Sequence, residues 1–247
     1  MMKRVFGRWF RRSLKGPTLL HLHIPRTGGS SVRAFLGSLF PLQAVRSQDF
    51  HSSKESLEEL RANARDIRLV SGHFHYGLHE CFEDSLYVVV LRQPVARVVS
   101  LYNYIRQTPG HRLHGFFNEP GMTLKAFYDR HLELSPQFQD GQVRQLLRLD
   151  QNPHYRPLDQ EDLEAALAHL TSPKTLVVPL ERLDLLPRLL ERHFGPLGTI
   201  SMPRINATRP VAADPETVEL IRRHNALDQL LYDAVAAGET FSQAATG

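Results

Sequence analysis

The sequence contains a single cysteine, Cys81, and no long hydrophobic run. One cysteine cannot form a disulfide within the chain, so nothing in the composition points to an oxidising compartment. No apolar stretch reaches the length of a membrane-spanning helix. The 247 residues are 42% hydrophobic and 23% charged, which is ordinary globular usage. These features exclude fibrous and wholly disordered classes and predict a soluble protein with a substantial core.

Acidic residues are missing from the first sixteen residues, MMKRVFGRWFRRSLKG, which contain six lysines and arginines. Because the whole chain has a formal net charge of +4, subtracting these six charges leaves −2 for the remainder. The basic character belongs to this segment, so we expect no nucleic-acid partner. We interpret residues 1–16 as a basic, flexible tail. Its alternation of basic residues with Phe6, Trp9 and Phe10 also suits peripheral contact with an anionic membrane surface.

The remainder of the chain is predicted to form one domain, residues 17–238, because no linker composition interrupts it. Residues 239–247 lack apolar periodicity and are expected to form a frayed C-terminus. The N-terminal region has neither the uninterrupted apolar stretch nor the small-residue cleavage site of a secretory signal. We therefore expect a protein that is not exported.

Short apolar runs alternate with segments of helical periodicity, the pattern of an α/β fold with a mainly parallel central sheet flanked by helices. Predicted strands are 18–24, 67–71, 85–92 and 175–179. The run 85–92, SLYVVVLR, is continuous and β-branched, as an interior parallel strand should be. Predicted helices are 30–40, 56–65, 95–107, 124–131, 142–149, 161–170, 183–194 and 215–237, with a loop at 108–121.

A loop of small residues joins the first predicted strand to the following helix, in the segment HIPRTGGSSVRAFL at 23–36. Such a loop directs backbone N–H groups and a helix dipole at an anion. The glycines permit close approach, while the arginine adds a fixed charge and the threonine a hydroxyl donor. The candidate anion ligands are Arg26, Thr27, Gly28, Gly29, Ser30 and Ser31. The same pattern also fits a plain strand-to-helix turn capped by its first serine. The loop lacks the length and terminal lysine of a Walker A motif, which disfavours a standard P-loop NTPase.

A second candidate site follows the strand 85–92, in the segment LRQPVARVVSLYNYIR at 91–106. Arg92 leaves the carboxyl edge of the sheet, where ligands of α/β proteins gather, and Ser100 lies two helical turns further on. Taken singly, Arg92 also fits an ion pair at a helix start and Ser100 a small packing residue. Two strand ends suited to anions within one domain favour the functional interpretation.

In this order, the segments resemble the carbohydrate sulfotransferases, in particular the branch that includes heparan sulfate 2-O-sulfotransferase and its bacterial relatives. The similarity covers 18–236. Its pieces are PRTGGSS (25–31), SGHFHYGL (71–78), LRQPVARVVSLYNY (91–104), LERLDLLPRLLERHFG (180–195), INATRP (205–210) and NALDQLLYDAV (225–235). The resemblance implies a P-loop-kinase-like sulfotransferase fold and 3′-phosphoadenosine-5′-phosphosulfate (PAPS) as co-substrate, with no metal. It also implies an acceptor hydroxyl on a saccharide or glycan, and a bacterial, cytoplasmic setting.

The resemblance further assigns roles to single residues. It implies that the first loop grips the 5′-phosphosulfate and that Arg92 with Ser100 grips the 3′-phosphate. Arg209 lies in a proline-flanked loop that folds over the nucleotide and could reach the same phosphate, although a solvated arginine is an equal interpretation. His73 matches the family's Gly-His position and is expected to act as the general base that takes the acceptor proton. His75 is expected to orient the acceptor or share the proton.

Two residues depart from the family pattern. Arg26 stands where the family usually has a lysine that stabilises the departing bridging oxygen. Arginine is a poor proton donor, so we expect its help to be electrostatic. Gln93 stands where many members have aspartate before the proline. We interpret that aspartate as a helix cap, so the exchange is expected to affect stability before activity.

Three other functions compete with this hypothesis. His73, His75, His79 and Glu80 form a dense cluster of the residue types that bind metals, but the aspartate of an HxHxDH hydrolase signature is missing. A nucleotide-dependent phosphotransferase would need magnesium and an acidic ligand that the sequence does not identify. A non-catalytic, nucleotide-binding relative is the third alternative.

Overall fold

The computed structural model describes residues 14–47, 54–148, 150, 156–198, 202–203 and 213–238. Most of the predicted tail at 1–16, the predicted terminus at 239–247 and Arg209 lie outside the described residues. Among the described residues, no helix is both long enough and apolar enough to span a bilayer.

The described residues form a five-stranded sheet in which every pairing is parallel. The strands are β1 (Thr18–Leu22), β2 (Val45–Ser47), β3 (Leu69–Gly72), β4 (Ser85–Leu91) and β5 (Thr175–Pro179), in the order β2-β3-β1-β4-β5. The prediction of an α/β fold with a mainly parallel sheet is confirmed. The edge strand β2 was not predicted, because its three residues are too few to show a period.

Helices flank this sheet on both faces. The helices of the described residues are α1 (Gly29–Ser38), α2 (Lys54–Ala62), α3 (Pro94–Gln107), α4 (His114–Phe117), α5 (Leu124–Arg130), α6 (Gly141–Leu146), α7 (Gln160–Thr171), α8 (Leu186–Phe194), α9 (Pro215–His224) and α10 (Ala226–Ala236). Short 3-10 helices occur at Leu42–Ala44, Leu78–Cys81, Leu132–Leu134, Pro136–Phe138 and Leu180–Leu185. The predicted loop at 108–121 contains α4, and the helix predicted at 183–194 begins instead at Leu186.

The two faces of the sheet pack against different helices because strand side chains alternate. On β4, Tyr87, Val89 and Leu91 belong to a core that includes residues of α6, α7 and α10. Val88 and Val90 belong to the opposite core with residues of α1 and α8. A third apolar cluster joins α3, α4, α5 and α9. β4 is therefore fully buried, as its continuous apolar sequence predicts.

The closing helix predicted at 215–237 is two helices that meet at Asn225. The Asn225 side chain is fully buried, and its amide donates to the carbonyl oxygens of Ile221 and Phe138 at 2.9 Å each. Its carbonyl oxygen accepts from the Asp140 N–H at 3.1 Å. An asparagine that satisfies backbone groups with its side chain competes with helical hydrogen bonding, which accounts for the break.

Candidate functional site

A cavity of about 1100 Å³ opens beyond the carboxyl ends of β1, β3 and β4. This is the edge at which ligands of open α/β sheets bind. Of the sequence-predicted site residues, those that line the cavity are Arg26, Gly28, Gly29, Ser30, Ser31, His73 and Arg92. Residues from three strand ends are therefore brought to one space.

The loop after β1 presents the N-terminal end of α1 to this cavity. Gly28 caps α1 in the left-handed conformation, with φ of 84°, and the helix begins at Gly29. The φ of Gly28 is one that residues with a Cβ rarely adopt, so glycine is favoured there by its conformation. Ser30 is inside the first turn and is not the cap. The first N–H groups of a helix have no intrahelical partner, so this end suits an anion.

Arg26 connects this loop to α3. Its φ is 71°, which is uncommon for a residue with a side chain. Its Nε donates to the Oγ of Ser100 at 3.1 Å, and its guanidinium lies 4.7 Å from the ring centroid of Tyr104. The carbonyl oxygen of Arg26 accepts from Nη1 of Arg92 at 3.1 Å. The two predicted anion sites are therefore parts of one cluster.

The charges of this cluster favour an anionic ligand. Burial lowers the pKa of Arg26. Burial and then the neighbouring charge of Arg26 lower the pKa of Arg92. Two half-buried guanidinium groups that lose hydration and repel each other are stabilised by a phosphate or sulfonate between them. The charged lining residues are Arg26, Arg33, Arg92, Arg112, Glu181 and Asp184, so the cavity carries more positive than negative charge.

The backbone of Arg92 is fixed by Gln142, a residue that the sequence did not single out. The Arg92 N–H donates to Oε1 of Gln142, and Nε2 of Gln142 donates to the Arg92 carbonyl oxygen, each at 2.9 Å. Gln142 is fully buried, and its own N–H donates to the Asp228 carboxylate at 3.0 Å. The contacts span 50 residues, so no local pattern could have revealed them. A rigid backbone here directs the Arg92 side chain into the cavity.

Gln93 caps α3. Its Oε1 accepts from the Ala96 N–H at 2.8 Å, ahead of Pro94 at the first helical position. Gln93 therefore caps the helix as an aspartate at this position would. Its neutral side chain adds no favourable charge to the helix dipole.

His73 follows β3 directly and faces the cavity. Its Nδ1 lies 2.7 Å from the carbonyl oxygen of His23. Because a carbonyl oxygen only accepts, Nδ1 carries the hydrogen, and the lone pair of the neutral ring is on Nε2. This tautomer is the one that a general base needs if Nε2 is to take a proton.

Three predicted site residues do not line the cavity. The Thr27 hydroxyl is buried and donates to the Ile24 carbonyl oxygen at 2.9 Å. Ser100 is buried and reaches the cluster only through Arg26. His75 is buried, with Nδ1 3.2 Å from the Leu147 carbonyl oxygen. The Thr27 hydroxyl thus stabilises the backbone of the loop. Of the two neighbouring histidines, His73 lines the cavity and His75 is buried away from it.

Two histidines that the sequence analysis did not single out lie at the site: His23, which follows β1, lines the cavity, and His21, on β1, lies behind it. His23 lines the cavity, and its ring stacks on that of His73 with centroids 4.3 Å apart. His21 stacks on His23 at 5.4 Å, and its Nδ1 lies 2.7 Å from the Ser71 Oγ. Burial above all lowers the pKa of His21 to about 3 and that of His23 to about 2. Their spacing of two residues, which places both on one side of a strand, is a signal that could have found them.

The other two residues of the candidate metal-binding cluster, His79 and Glu80, contact side chains outside the cavity. His79 lies with its Nδ1 3.1 Å from the Tyr87 hydroxyl, and Glu80 accepts from Arg148 at 2.7 Å. Within the described part of the chain, no three His, Cys, Asp or Glu side chains form a group that could hold a metal ion.

No protein-family model matches the chain, and the search of curated proteins gives no match either.

Proposed function

We propose that the chain is a sulfotransferase that moves a sulfonate from PAPS to an acceptor hydroxyl, with His73 as the general base. The observation that carries this proposal is the meeting of two arginines, a helix N-terminus and a histidine of fixed tautomer in one cavity. The first three features suit a donor with several anionic groups. The histidine suits an acceptor whose proton must be removed.

Each group of the site has one role in the proposed reaction. His73 Nε2 takes the acceptor proton as the acceptor oxygen forms its bond to sulfur. The bond between sulfur and the bridging phosphate oxygen breaks, and its electron pair leaves with adenosine 3′,5′-bisphosphate. Arg26 and the N-terminal N–H groups of α1 stabilise the negative charge that grows on the departing oxygen. Arg26 acts through its charge, because a guanidinium does not give up a proton.

The volume of the cavity, about 1100 Å³, lies at the upper end of the roughly 300–1,000 Å³ that is usual for ligand pockets, as a nucleotide donor requires. Arg92 is the residue we assign to the 3′-phosphate, because its backbone is held by Gln142 and its side chain lies beside Arg26. We further propose a saccharide hydroxyl as the acceptor and the cytoplasm as the setting, both on the family resemblance.

Ligand-dependent thermal unfolding tests the donor. Adenosine 3′,5′-bisphosphate at about 100 times its Kd should stabilise the protein by roughly 2.7 kcal/mol, which raises the Tm by about 5–10 °C for a chain of this size. ADP and ATP with magnesium are the comparison ligands. Greater stabilisation by ATP with magnesium would replace the proposal with a phosphotransferase.

Transfer of labelled sulfonate tests the activity itself. Labelled PAPS and a panel of saccharide acceptors should give labelled product that depends on His73. Binding of the bisphosphate without transfer to any acceptor, and without hydrolysis of PAPS, would favour a non-catalytic nucleotide-binding protein.

A further inference from the structure

We propose that His23 is a positioning residue for His73: its imidazole is the surface against which the His73 ring packs, so that His73 Nε2 keeps one direction in the cavity. The inference rests on the proposed function, in which His73 is the base. It adds to that function a residue whose effect is exerted through another side chain.

The first support is the contact between the two rings. Their centroids are 4.3 Å apart and their planes differ by 25°. Two hydrogen bonds join the same strand ends: His23 N–H donates to the Gly72 carbonyl oxygen at 2.9 Å, and His73 Nδ1 donates to the His23 carbonyl oxygen at 2.7 Å. The hydrogen bond alone permits the ring to rock about the Nδ1–O direction. The stacked His23 ring restricts that rotation.

The second support is that the His23 ring is itself confined. His21 stacks on it with planes 18° apart, and the Ser71 hydroxyl holds His21 at 2.7 Å. A Cβ on Gly29 would lie only 1.8 Å from Nε2 of His23. The ring therefore rests directly against the start of α1, which only a glycine at position 29 allows. Because the His23 ring is held in place, it fixes the His73 ring relative to the start of α1.

The protonation state of His23 shows whether it supports His73 or accepts a proton itself. Burial above all, and then the neighbouring groups His21, His73, Arg33 and Arg26, lowers the pKa of His23 to about 2. His23 is therefore neutral throughout the physiological range. A neutral ring does not repel the imidazolium that forms on His73 after proton transfer, whereas a charged ring would. His23 supports the base and does not act as one.

Two substitutions at one position separate the ring from its nitrogen atoms. His23→Gln keeps polar atoms but removes the ring, and His23→Phe keeps a ring without nitrogen. Because misplacement by about 1 Å can cost on the order of 10²-fold in rate, we expect His23→Gln to lower kcat by roughly 10- to 100-fold. The KM for PAPS should stay within about 2-fold, and His23→Phe should retain most of the activity. A folded His23→Phe protein as inactive as His23→Gln would overturn the positioning role and assign the effect to a nitrogen.

A measurement on the histidine side chain itself does not depend on turnover or on the folding of the phenylalanine variant. With histidines labelled by ¹⁵N, NMR should show His73 in the Nδ1–H tautomer in the unsubstituted protein. His23→Gln keeps the backbone carbonyl oxygen that fixes the tautomer, so His73 should stay in the Nδ1–H form. Its Nδ1–H should exchange faster with water, because the ring is no longer held by the stacked His23 ring. His169→Gln is the matched control, because His169 is also a stacked histidine bonded to a carbonyl oxygen, 3.7 Å from Tyr76 and 2.9 Å from the Leu146 oxygen, outside the cavity. Unchanged His73 signals in His23→Gln would refute the inference. A protein that neither binds the bisphosphate nor transfers sulfonate would refute the proposed function and leave the NMR result to decide on His23.

Discussion

Nε of Arg26 donates a hydrogen bond of 3.1 Å to Oγ of Ser100, across 74 positions of the sequence. One residue comes from the loop after β1 and the other from the second turn of α3. The contact joins the residues assigned to the phosphosulfate with those assigned to the 3′-phosphate. A ligand that moves Arg26 must therefore also change the surroundings of Ser100.

We predict that Arg26→Ala lowers single-turnover transfer by about 10²- to 10³-fold at saturating donor, because a methyl group cannot stabilise charge on the departing oxygen. Arg26→Lys should keep or raise activity, because an ammonium supplies the charge and can also donate a proton. Rapid-quench measurement with labelled PAPS compares the three proteins. Arg130→Ala, an exposed arginine at the end of α5, is the control. Full activity in Arg26→Ala would leave the N–H groups of α1 as the stabilising feature.

We predict that Arg92→Ala and Ser100→Ala weaken binding of adenosine 3′,5′-bisphosphate more than binding of adenosine 5′-monophosphate. For Arg92 the difference should be roughly 1.5–3 kcal/mol, the net strength of a charged hydrogen bond. Ser100 should contribute less, because its hydroxyl is buried and already accepts from Arg26. Titration calorimetry with both nucleotides makes the comparison. Equal losses for the two would show that neither residue contacts the 3′-phosphate.

We predict that His73→Ala abolishes most transfer, by about 10²- to 10⁴-fold in kcat, while bisphosphate binding is unchanged. His75→Ala should have a much smaller effect on kcat, because the His75 side chain is buried against the Leu147 carbonyl oxygen and does not line the cavity. Steady-state kinetics and calorimetry are run on both variants. A dead His75→Ala beside an active His73→Ala would reverse the roles, and two active variants would exclude both as the base.

The pH dependence of stability should reveal the buried carboxylates below Arg92. Burial and then the charge of Asp228 raise the pKa of Asp140 from 3.8 to about 7. Between about pH 4 and pH 7 the folded protein therefore keeps a proton on Asp140 that the unfolded chain has already lost. The contribution of Asp140 to the free energy of unfolding falls as the pH rises through this window.

Asp140→Asn tests this prediction, because asparagine does not titrate and tolerates the φ of 45° at this position. The difference in unfolding free energy, unsubstituted protein minus variant, should fall between pH 4 and pH 7 and then level off. Urea unfolding at pH 4.5, 6 and 7.5 measures it. A difference that does not change with pH would mean that Asp140 is ionised throughout.

Local sequence was sufficient for much of the fold and of the candidate site. The strand at 175–179 was predicted with its observed bounds, because a continuous apolar run acts within a few residues. The helix predicted at 95–107 begins one residue earlier, at Pro94, a residue that the first turn of a helix accepts. The loop between β1 and α1 was recognised from Gly28 and Gly29 for the same reason: the backbone freedom of glycine is a property of the residue itself, and Gly28 uses it to adopt a φ of 84°. Binding of an anion by this loop stays a prediction.

Contacts between distant segments determine the features that the sequence did not predict. The support of Arg92 by Gln142, the packing of His23 on His73 and the break of the closing helix at Asn225 each depend on partners far away in the chain. Nothing near Gln142 distinguishes it from a surface glutamine until β4 and α10 are placed beside it. The sequence by itself determined the class of the fold, four of the five described strands and most of the helices. Only the tertiary structure decided which side chains meet, because burial and hydrogen-bond geometry exist once the chain has folded.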